Sequence, residues 1–329
     1  MLSEKLIIYN PSISTMNEGD HIIYDGVKTE IYDMFPSYKV FELPTQMPVS
    51  NRVLKWYKDI NFRFVAGTNI LKYSMFCEWG RLPHFKNIRQ WDIRIKDVKL
   101  YGPVILVGCG WQKYQDKSDK PSMNLWKELL STNYYHSVRD SYTEEKLHEM
   151  GIMNVINTGC PTLWRLSREH CKNISANKAN YVVTTVTDYK QDPRMDQIML
   201  DVLSKNYEKV YIWLQGYEDD KYLNSLQLSN NMEVLGGGLT QYDALLDRCD
   251  DIDYVGTRLH GGVRALQKGK RSVFIAIDNR TIEMGKNFGL NYIRREECFE
   301  LESFIKEKHE TRILIPEENI ERFKKQFLE

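Results

Sequence analysis

Residues 252–278 read IDYVGTRLHGGVRALQKGKRSVFIAID, in which two apolar runs flank a turn and a helix-forming run. The runs 252–255 and 272–277 have the length and the β-branched and aromatic content of buried strands. Between them lie the glycine-containing turn 256–262 and the helix-forming run 263–268. This order predicts strand, tight turn, helix and strand, which is one βαβ unit of a parallel sheet.

The turn at 256–262 carries an arginine and a histidine to the point where a strand ends and a helix begins. Free backbone N–H groups and the helix dipole favour an anion at such a point. Arg258 can bind phosphate or carboxylate, and His260 titrates near neutrality. The two residues flank one apolar residue, so in an extended segment they project to the same face. We therefore predict joint acid–base chemistry on an anionic substrate, with a purely structural histidine as the alternative.

The length and composition of the chain limit the classes of protein to which it belongs. Its 329 residues suit two α/β domains of about 150 residues each. A hydrophobic content of 42% and a charged content of 27% are typical of a soluble globular protein. Basic and acidic residues number 45 each, so no overall electrostatic field favours nucleic acid as a partner.

The cellular setting is predicted from the amino-terminal segment and the cysteines. The apolar run at 6–9 is too short for a signal peptide or a membrane span, so we expect a cytoplasmic protein. Peripheral contact with the inner face of the membrane is compatible with this expectation. The six cysteines are scattered without the spacing of zinc ligands, which predicts reduced, mostly buried thiols and no metal site.

Strand-like and helix-like segments alternate along the whole chain, which is typical of parallel sheets flanked by helices. Before the βαβ unit, we predict strands at 6–9, 38–42, 61–66, 104–107, 136–139, 154–156, 181–186 and 210–214. We predict helices at 19–35, 124–130, 141–150, 194–204, 241–248 and 316–329, and a linker at 161–178. The pattern indicates an α/β protein with two doubly wound, Rossmann-like domains, 1–165 and 178–329, that face each other across a cleft.

The turn after the first strand contains two candidate residues, Asn17 and Asp20. Both residue types cap helices, and a cap is one interpretation of this turn. The other interpretation is that Asp20 faces the cleft as a carboxylate that orients or deprotonates a substrate hydroxyl, with Asn17 beside it.

Two further turns directly follow predicted strands of the first half. Gly67 precedes Thr68 and Asn69 in one turn, and Gly108 begins the turn that leads to Trp111 in the other. Glycine lets a ligand approach the backbone closely, although packing needs glycine at such places too. Trp111 either stacks on a sugar face or packs in the core. We take these five residues as candidates for the cleft.

Two more arginines are candidates for anion binding. Arg139 lies where a strand meets a helix, and it either binds an anion or forms a local bridge with Asp140. Ser141 and Glu144 have the spacing of a capping box at the start of that helix. Arg280 follows the last strand of the βαβ unit and offers a second anion contact.

The motifs described above resemble those of the polysaccharide pyruvyl transferase family. The run GTRLHGG at 256–262, followed by the strand that ends at Asp278, resembles the central signature of the family. The Asn-x-Gly-Asp sequence at 17–20 resembles its first-turn motif. The sequence SVRD at 137–140, with the glycines at 151 and 159, resembles its domain-boundary segment. The motifs occur in the order of the family and cover most of the chain.

The resemblance implies a fold like that of the two-domain GT-B glycosyltransferases and transfer of pyruvate from phosphoenolpyruvate. The pyruvate becomes a ketal on two hydroxyl groups of a sugar in a cell-surface glycan. The acceptor is a sugar or a lipid-linked oligosaccharide, which the first domain is expected to bind, whereas the second binds the donor. Phosphoenolpyruvate is then a co-substrate, and no further cofactor and no metal is implied.

The resemblance also implies roles for individual residues. In the family, the arginines that match Arg139 and Arg258 and the histidine that matches His260 are associated with the donor. The expected donor site further includes Leu259, Gly261, Gly262 and Arg280. We hypothesise that His260 is the acid–base residue, that Arg258 and Arg139 bind the anions of the donor, and that Asp20 orients the acceptor. Cys160 and Arg280 depart from the family, in which aspartate and lysine are usual at these positions.

Two other functions remain open on the sequence. A GT-B-type glycosyltransferase would also place an anion at a helix start, but it needs a base pocket and a ribose-binding carboxylate that the sequence does not identify. A glycan-binding protein without catalytic activity is the other alternative. Four aromatic residues of the first half, Trp56, Tyr57, Trp79 and Trp91, either line an acceptor groove or pack in the core.

Overall fold

The computed structural model describes residues 4–73, 90–91, 93, 97–116 and 119–328. The chain divides into two compact units. Unit 1 comprises Met1–Thr15, Ile23–Trp164 and Pro316–Glu329, and unit 2 comprises Met16–Ile22 and Arg165–Ile315. These units divide the chain differently from the predicted ranges 1–165 and 178–329. Met16–Ile22 belongs to unit 2, Pro316–Glu329 belongs to unit 1, and residues 165–177, most of the predicted linker, belong to unit 2.

The first half of the chain contains short parallel strands alternating with helices. The strands are β1 (Lys5–Asn10), β2 (Lys39–Pro44), β3 (Phe62–Ala66), β4 (Ile105–Val107), β5 (His136–Val138) and β6 (Val155–Asn157). The helices are α1 (Gly19–Met34), α2 (Asn51–Trp56), α3 (Val98–Tyr101), α4 (Lys120–Leu129) and α5 (Ser141–Glu149). A 3-10 helix at Pro161–Leu163 follows, in the segment that was predicted to be a linker.

The sheet of unit 1 is parallel, in the order β2-β1-β3-β4. Strands β5 and β6 form a parallel pair. This pair continues the sheet beyond β4, because Gly108 N donates to Ser137 O and Arg139 N donates to Cys109 O, both at 2.9 Å. The carboxyl ends of β3, β4 and β5 therefore lie side by side.

The second half of the chain has the same alternation. Its strands are β7 (Tyr181–Thr184), β8 (Lys209–Trp213), β9 (Met232–Leu235), β10 (Ile252–Gly256), β11 (Ser272–Ala276) and β12 (Tyr292–Arg294). Its helices are α6 (Arg168–Lys172), α7 (Pro193–Asn206), α8 (Asp219–Leu223), α9 (Leu239–Arg248), α10 (Leu259–Gln267), α11 (Asn279–Phe288), α12 (Leu301–Lys306) and α13 (Glu317–Lys325). The last of these helices belongs to unit 1.

The sheet of unit 2 is parallel throughout, in the order β12-β11-β10-β7-β8-β9. This is the strand order of a Rossmann fold, with β7 as its first strand and β10 as its fourth. The chain leaves β7 towards one edge of the sheet and returns at β10 to build the other edge. Ligands of such sheets bind outside the carboxyl ends of the two strands at this switch point.

Each unit has its own buried apolar core. Strands β10 and β11 are buried along their whole length, because helices cover both faces of a doubly wound sheet. The five cysteines that the structure describes are free thiols, and four of them are buried; Cys77 lies outside the described residues. Within the described part of the chain, no helix combines the length and the apolar character that a membrane span requires.

The structure corrects the prediction at the starts of α10 and α5. Helix α10 begins at Leu259 rather than at residue 263, so His260, Gly261 and Gly262 are helical. Helix α5 has Asp140 rather than Ser141 as its N-cap, and the Asp140 side chain accepts a hydrogen bond from Thr143 N at 2.8 Å.

Candidate active site

The switch point of unit 2 is marked by the buried side chain of Arg258. This residue is the N-cap of α10, directly after β10, and its side chain is 3% exposed. Its Nε donates to Val186 O at 3.1 Å, just beyond the end of β7. Its Nη2 donates to Asp188 Oδ1 at 2.9 Å and to Asp219 Oδ1. The guanidinium group thus joins the ends of the two central strands.

Asp219, which follows β8, holds Arg258 in position; β8 lies next to β7 in the sheet. Asp219 begins α8, which follows β8, and its side chain is fully buried. Its Oδ2 accepts hydrogen bonds from Gln215 N at 3.1 Å and Gly216 N at 2.6 Å. Its Oδ1 accepts from Asp188 N at 3.0 Å in addition to Arg258. A carboxylate with this many donors holds its partner in one position.

Burial and pairing shift the pKa values of this pair. Burial raises the pKa of the Asp219 carboxyl above its usual 3.8, although the positive charge of Arg258 opposes the shift. Burial would lower the pKa of the Arg258 guanidinium, but the carboxylates of Asp219 and Asp188 outweigh it, so the net shift is upward. Arg258 therefore remains a cation at any physiological pH.

One nitrogen of Arg258 is unengaged within the part of the chain that the structure describes. Nε and Nη2 are engaged within unit 2, whereas Nη1 makes no hydrogen bond to any residue that the structure describes. A guanidinium held on one side by carboxylates presents its remaining N–H groups in a fixed direction. The start of α10 adds the positive end of the helix dipole.

His260 lies in the first turn of α10 and is 5% exposed. The prediction that Arg258 and His260 project to one face of an extended segment is wrong, because the helix begins between them at Leu259. In an α-helix, residues two positions apart are separated by roughly 200° around the axis. The two side chains are close in the chain, but strand alternation does not align them.

The glycines of the central signature pack α10 against the sheet. A Cβ atom at Gly262 would lie closer than 3.0 Å to the rings of Phe274 and Tyr254. One at Gly261 would lie 3.2 Å from Gln215 Oε1, which is a tight but tolerable contact. Leu259 is buried beside them. These glycines thus allow α10 to pack closely against side chains of the same protein. Their role in binding the donor stays a prediction.

Arg280 lies at the neighbouring helix start. Asp278 is the N-cap of α11, and its Oδ1 accepts a hydrogen bond from Arg280 N at 3.0 Å. The Arg280 side chain turns back to the same carboxylate, with Nε 3.0 Å and Nη2 2.5 Å from Asp278 Oδ2. Arg280 Nη2 also donates to the hydroxyl of Tyr189. Two arginines at two helix starts therefore lie at adjacent strand ends, β10 and β11.

The first-turn motif belongs to unit 2, beside Arg258. Asn17 pairs with Gly216 in an antiparallel bridge, and Asn17 Oδ1 accepts from Gln215 Nε2 at 2.8 Å and from Gly19 N at 3.2 Å. Gly216 in turn touches the guanidinium of Arg258, which would collide with a Cβ there. Asp20 is buried in the first turn of α1. The structure thus brings the segment with Asn17 and Asp20 next to the strand end that supports Arg258.

The other predicted candidates form a cluster in unit 1. Arg139 is buried, donates through Nη1 to Asn69 Oδ1, and bonds through Nε to Asp140 Oδ2 at 3.1 Å. The local Arg139–Asp140 bridge is therefore present. Gly67 and Gly108 follow β3 and β4, and Cβ atoms there would collide with the Gly108 backbone and with Pro161, respectively. The hydroxyl of Thr68, which is buried, lies 3.3 Å from Gln90 Oε1.

The structure corrects the expectation for Trp111. Its side chain is fully buried, its ring lies edge-on to Tyr73 at 4.8 Å, and its Nε1 donates to Gln115 Oε1 at 3.1 Å. A ring without an exposed face cannot stack on a sugar. Trp91 is buried as well, whereas Trp56 is 66% exposed; Trp79 lies outside the described residues.

Sequence reasoning missed Asp188, Tyr189, Gln215 and Asp219. The available signal was their position, since each follows a predicted strand of the second half within a few residues. Among the residues that the structure describes, no group of three or more His, Cys, Asp or Glu side chains is arranged to hold a metal ion. The prediction that the reaction requires no metal stays a prediction.

Comparisons with known proteins agree on the class of fold. A family model for polysaccharide pyruvyl transferase matches residues 17–279. The chain is similar in structure to the UDP-GlcNAc 2-epimerase of Methanocaldococcus jannaschii, with a TM-score of 0.57, 10% identity and coverage of 98% of this chain and 97% of that chain. It is also similar to UGT89C1 of Arabidopsis thaliana, with a TM-score of 0.51, 10% identity and the same two coverages. These likenesses show a GT-B-like fold with two Rossmann-like domains. No curated protein sequence matches the chain significantly.

Proposed function

The chain belongs to the polysaccharide pyruvyl transferase family and is a transferase, and we propose that it moves pyruvate from phosphoenolpyruvate to two hydroxyl groups of a sugar. The pyruvate is bound as a ketal, in the biosynthesis of a cell-surface polysaccharide. The observation that carries this proposal is Arg258, a buried cation at a helix start with one nitrogen unengaged in the described structure.

The charges around Arg258 suit the donor. Phosphoenolpyruvate carries a phosphate and a carboxylate, and it therefore needs more than one cationic contact. Arg258 and Arg280 stand at the starts of α10 and α11, and each helix start adds its own dipole. The donor thus binds with its anionic groups at these two helix starts. Leu259 and Gly261 contribute backbone N–H groups of the first turn of α10, whereas the N–H of Gly262 donates to Arg258 O at 3.2 Å and lines the site through its lack of a side chain.

The reaction assigns an acid–base role to His260. A proton added to the methylene carbon of phosphoenolpyruvate creates an oxocarbenium-like centre at the neighbouring carbon. One sugar hydroxyl adds to that carbon, phosphate leaves, and the second hydroxyl completes the ketal. The two sugar hydroxyl groups release two protons. One returns to the acid that protonated the methylene carbon, and the other leaves with phosphate. His260 gives and recovers the proton, and Asp20 orients or deprotonates an acceptor hydroxyl.

The acceptor is a sugar or a lipid-linked oligosaccharide, and phosphoenolpyruvate is the co-substrate. Unit 1 supplies the acceptor side in this proposal, with Gly67, Thr68, Asn69 and Gly108 at its strand ends. Arg139 is assigned to the donor on the family resemblance alone. A lipid-linked acceptor would bring the protein to the inner face of the membrane from the cytoplasm.

Isothermal titration of phosphoenolpyruvate tests the donor. We expect saturable binding to the wild type, and binding weakened about 10- to 100-fold in R258A, as for the loss of a charge-assisted hydrogen bond. R258K keeps the positive charge beside Asp219 and should fold even if R258A does not. The matched control is R264A, which removes an arginine paired with Asp243 elsewhere on α10.

A panel of nucleotide sugars is titrated alongside. Binding of one nucleotide sugar, with no binding of phosphoenolpyruvate, would assign the chain to glycosyl transfer instead. Equal binding of phosphoenolpyruvate by the wild type, R258K and R258A would remove Arg258 from the site. Release of inorganic phosphate that depends on an added glycan acceptor, and that is lost in H260A, would establish the transfer and the role of His260.

A further inference from the structure

An exposed tyrosine lies between the two arginines of the switch point. Tyr189 belongs to the short 3-10 helix Asp188–Lys190 that follows β7, and it is 56% exposed. Its ring centroid lies 5.1 Å from the guanidinium carbon of Arg258 and 5.5 Å from that of Arg280. One aromatic ring therefore contacts both cations that the proposed donor site needs.

The polar contacts of this turn tie it to both helix starts. The Tyr189 hydroxyl accepts a hydrogen bond from Arg280 Nη2 and lies 3.4 Å from Asp278 Oδ2. The preceding residue, Asp188, bonds to Arg258, and the following residue, Lys190, donates to Ile277 O. Three consecutive side chains thus reach α10, α11 and the end of β11.

An aromatic ring between two guanidinium groups offsets their mutual repulsion. The negative π-face attracts each cation, and the attraction strengthens where the site is shielded from water. Asp219 and Asp188 pair with Arg258, and Asp278 pairs with Arg280. The ring of Tyr189 contacts both of these paired arginines. With it, Arg258 and Arg280 stay at a fixed separation that a ligand with two anionic groups can span.

We propose that Tyr189 is a positioning residue that joins Arg258 and Arg280 into one site for a ligand with two anionic groups, such as a phosphate and a carboxylate. The proposal rests on the proposed function for the identity of that ligand. The pairing of the two arginines is independent of the proposed function, because it follows from the contacts of the Tyr189 ring.

Tyr217 provides a matched control for Tyr189. Tyr217 follows β8 of the same sheet, is 71% exposed, and its backbone N–H donates to Met16 O. Its ring has no cation–π contact with an arginine among the described residues. Because both tyrosines are mostly exposed, replacing either one should leave the folded state intact, and the melting temperature checks this.

The experiment measures the affinities of Y189A, Y189F, Y217A and the wild type for phosphoenolpyruvate and for inorganic phosphate. We expect Y189A to bind phosphoenolpyruvate about 10-fold more weakly, because two cation–π contacts are lost. Its affinity for inorganic phosphate, which needs only one arginine, should change less. Y189F keeps the ring and should stay within about threefold of the wild type, as should Y217A. A merely structural loss would lower both affinities together with the melting temperature.

The outcomes separate this proposal from the proposed function. If Y189A binds phosphoenolpyruvate as well as the wild type does, or if Y217A is equally weakened, the proposal for Tyr189 is overturned. If the wild type binds inorganic phosphate but not phosphoenolpyruvate, the proposed donor is wrong. Pyrophosphate, which also carries two anionic groups, then tests the pairing of the arginines: weaker binding to Y189A than to the wild type supports the pairing, and equal binding overturns it. If the wild type binds none of the three anions, both proposals fail.

Discussion

The side chain of His136 is fully buried at the start of β5, where it holds β4 in place. Leu106 N donates to His136 Nδ1 at 3.2 Å, so the ring proton is on Nε2, which donates to Ser131 O at 2.9 Å. Burial lowers the pKa of His136 from 6.5 to about 4, although the hydrogen bond to Ser131 opposes the shift. The folded protein therefore keeps this histidine neutral where an unfolded chain would protonate it.

This shift predicts acid sensitivity of the fold. Because the folded pKa lies below the unfolded one, the stabilisation is complete above pH 6.5 and is lost as the pH falls through 4. The pKa difference corresponds to a loss of about 3 kcal/mol in the free energy of unfolding. Urea unfolding of the wild type and H136N from pH 7 to pH 4 checks this, since Asn Oδ1 can still accept from Leu106 N. The extra loss in the wild type should be absent from H136N.

The control for His136 is His148, on α5 of the same unit, which is partly exposed. H148N should retain the pH dependence of the wild type. An identical pH dependence in H136N and the wild type would show that His136 does not limit stability in acid.

At the scale of residues, the sequence predicts part of the candidate site. The run around Arg258 and His260 is recognisable, because a cation and a titratable group follow a strand directly. The partner of Arg258 is not recognisable, since Asp219 lies 39 positions earlier in the chain. Their contact is created by the strand order β10-β7-β8, which no local pattern contains. For the same reason the contact between Tyr189 and Arg280 could only come from the structure.

Helix α10 depends on the absence of a side chain at one position. Gly262 faces the rings of Phe274 and Tyr254, which a Cβ atom would meet at less than 3.0 Å. The neighbouring Gly261 meets nothing closer than 3.2 Å. Alanine is the better helix former at both positions, by about 1 kcal/mol, so the two glycines differ only in packing.

We therefore expect two neighbouring substitutions to differ in their effect on the free energy of unfolding. G262A should lose about 1–3 kcal/mol in the free energy of unfolding, because the helix must move away from the sheet. G261A should stay within about 1 kcal/mol of the wild type. Urea unfolding at neutral pH measures both, and binding of phosphoenolpyruvate should weaken in G262A because α10 carries Arg258 and His260 with it. Equal stability of G261A and G262A would contradict the packing argument.

At the scale of elements, strongly patterned segments are predictable and weakly patterned ones are not. Every predicted strand and helix overlaps an observed one, because continuous apolar runs and helical periods mark buried elements. The start of α10 was missed because two adjacent glycines normally argue against a helix. Strands β9 and β12 were not predicted, since both are edge strands of the unit 2 sheet and neither is continuously buried.

At the scale of the whole molecule, helix α13 shows what the sequence leaves undetermined. Its amphipathic pattern predicts a helix with one apolar face, but it does not say which sheet covers that face. In the structure the helix packs in unit 1, near β5 and β6. The predicted second domain, 178–329, includes α13 because α13 comes last in the chain. In the structure α13 belongs to unit 1, where its apolar face is buried.

The contacts of α13 and the residues after it identify what holds this segment in unit 1. Phe323 is fully buried, and the ring of Phe327 lies 5.4–5.5 Å from those of Phe62 and Phe64. Lys324 forms an ion pair with the buried carboxylate of Glu30. Removal of the segment would expose these aromatic rings to water and leave that carboxylate without its lysine.

We expect a chain that ends at residue 315 to lose stability in unit 1 alone. Truncation of one buried phenylalanine costs about 3–5 kcal/mol, so loss of the whole helix should cost at least that much. Hydrogen exchange measured by mass spectrometry should show faster exchange in β3 and β5 and unchanged exchange in β7 and β10. The control is E321A/K325A, which removes an exposed ion pair of α13 and leaves its apolar face intact. Faster exchange in unit 2 as well, or none in unit 1, would mean that α13 does not stabilise unit 1 in particular.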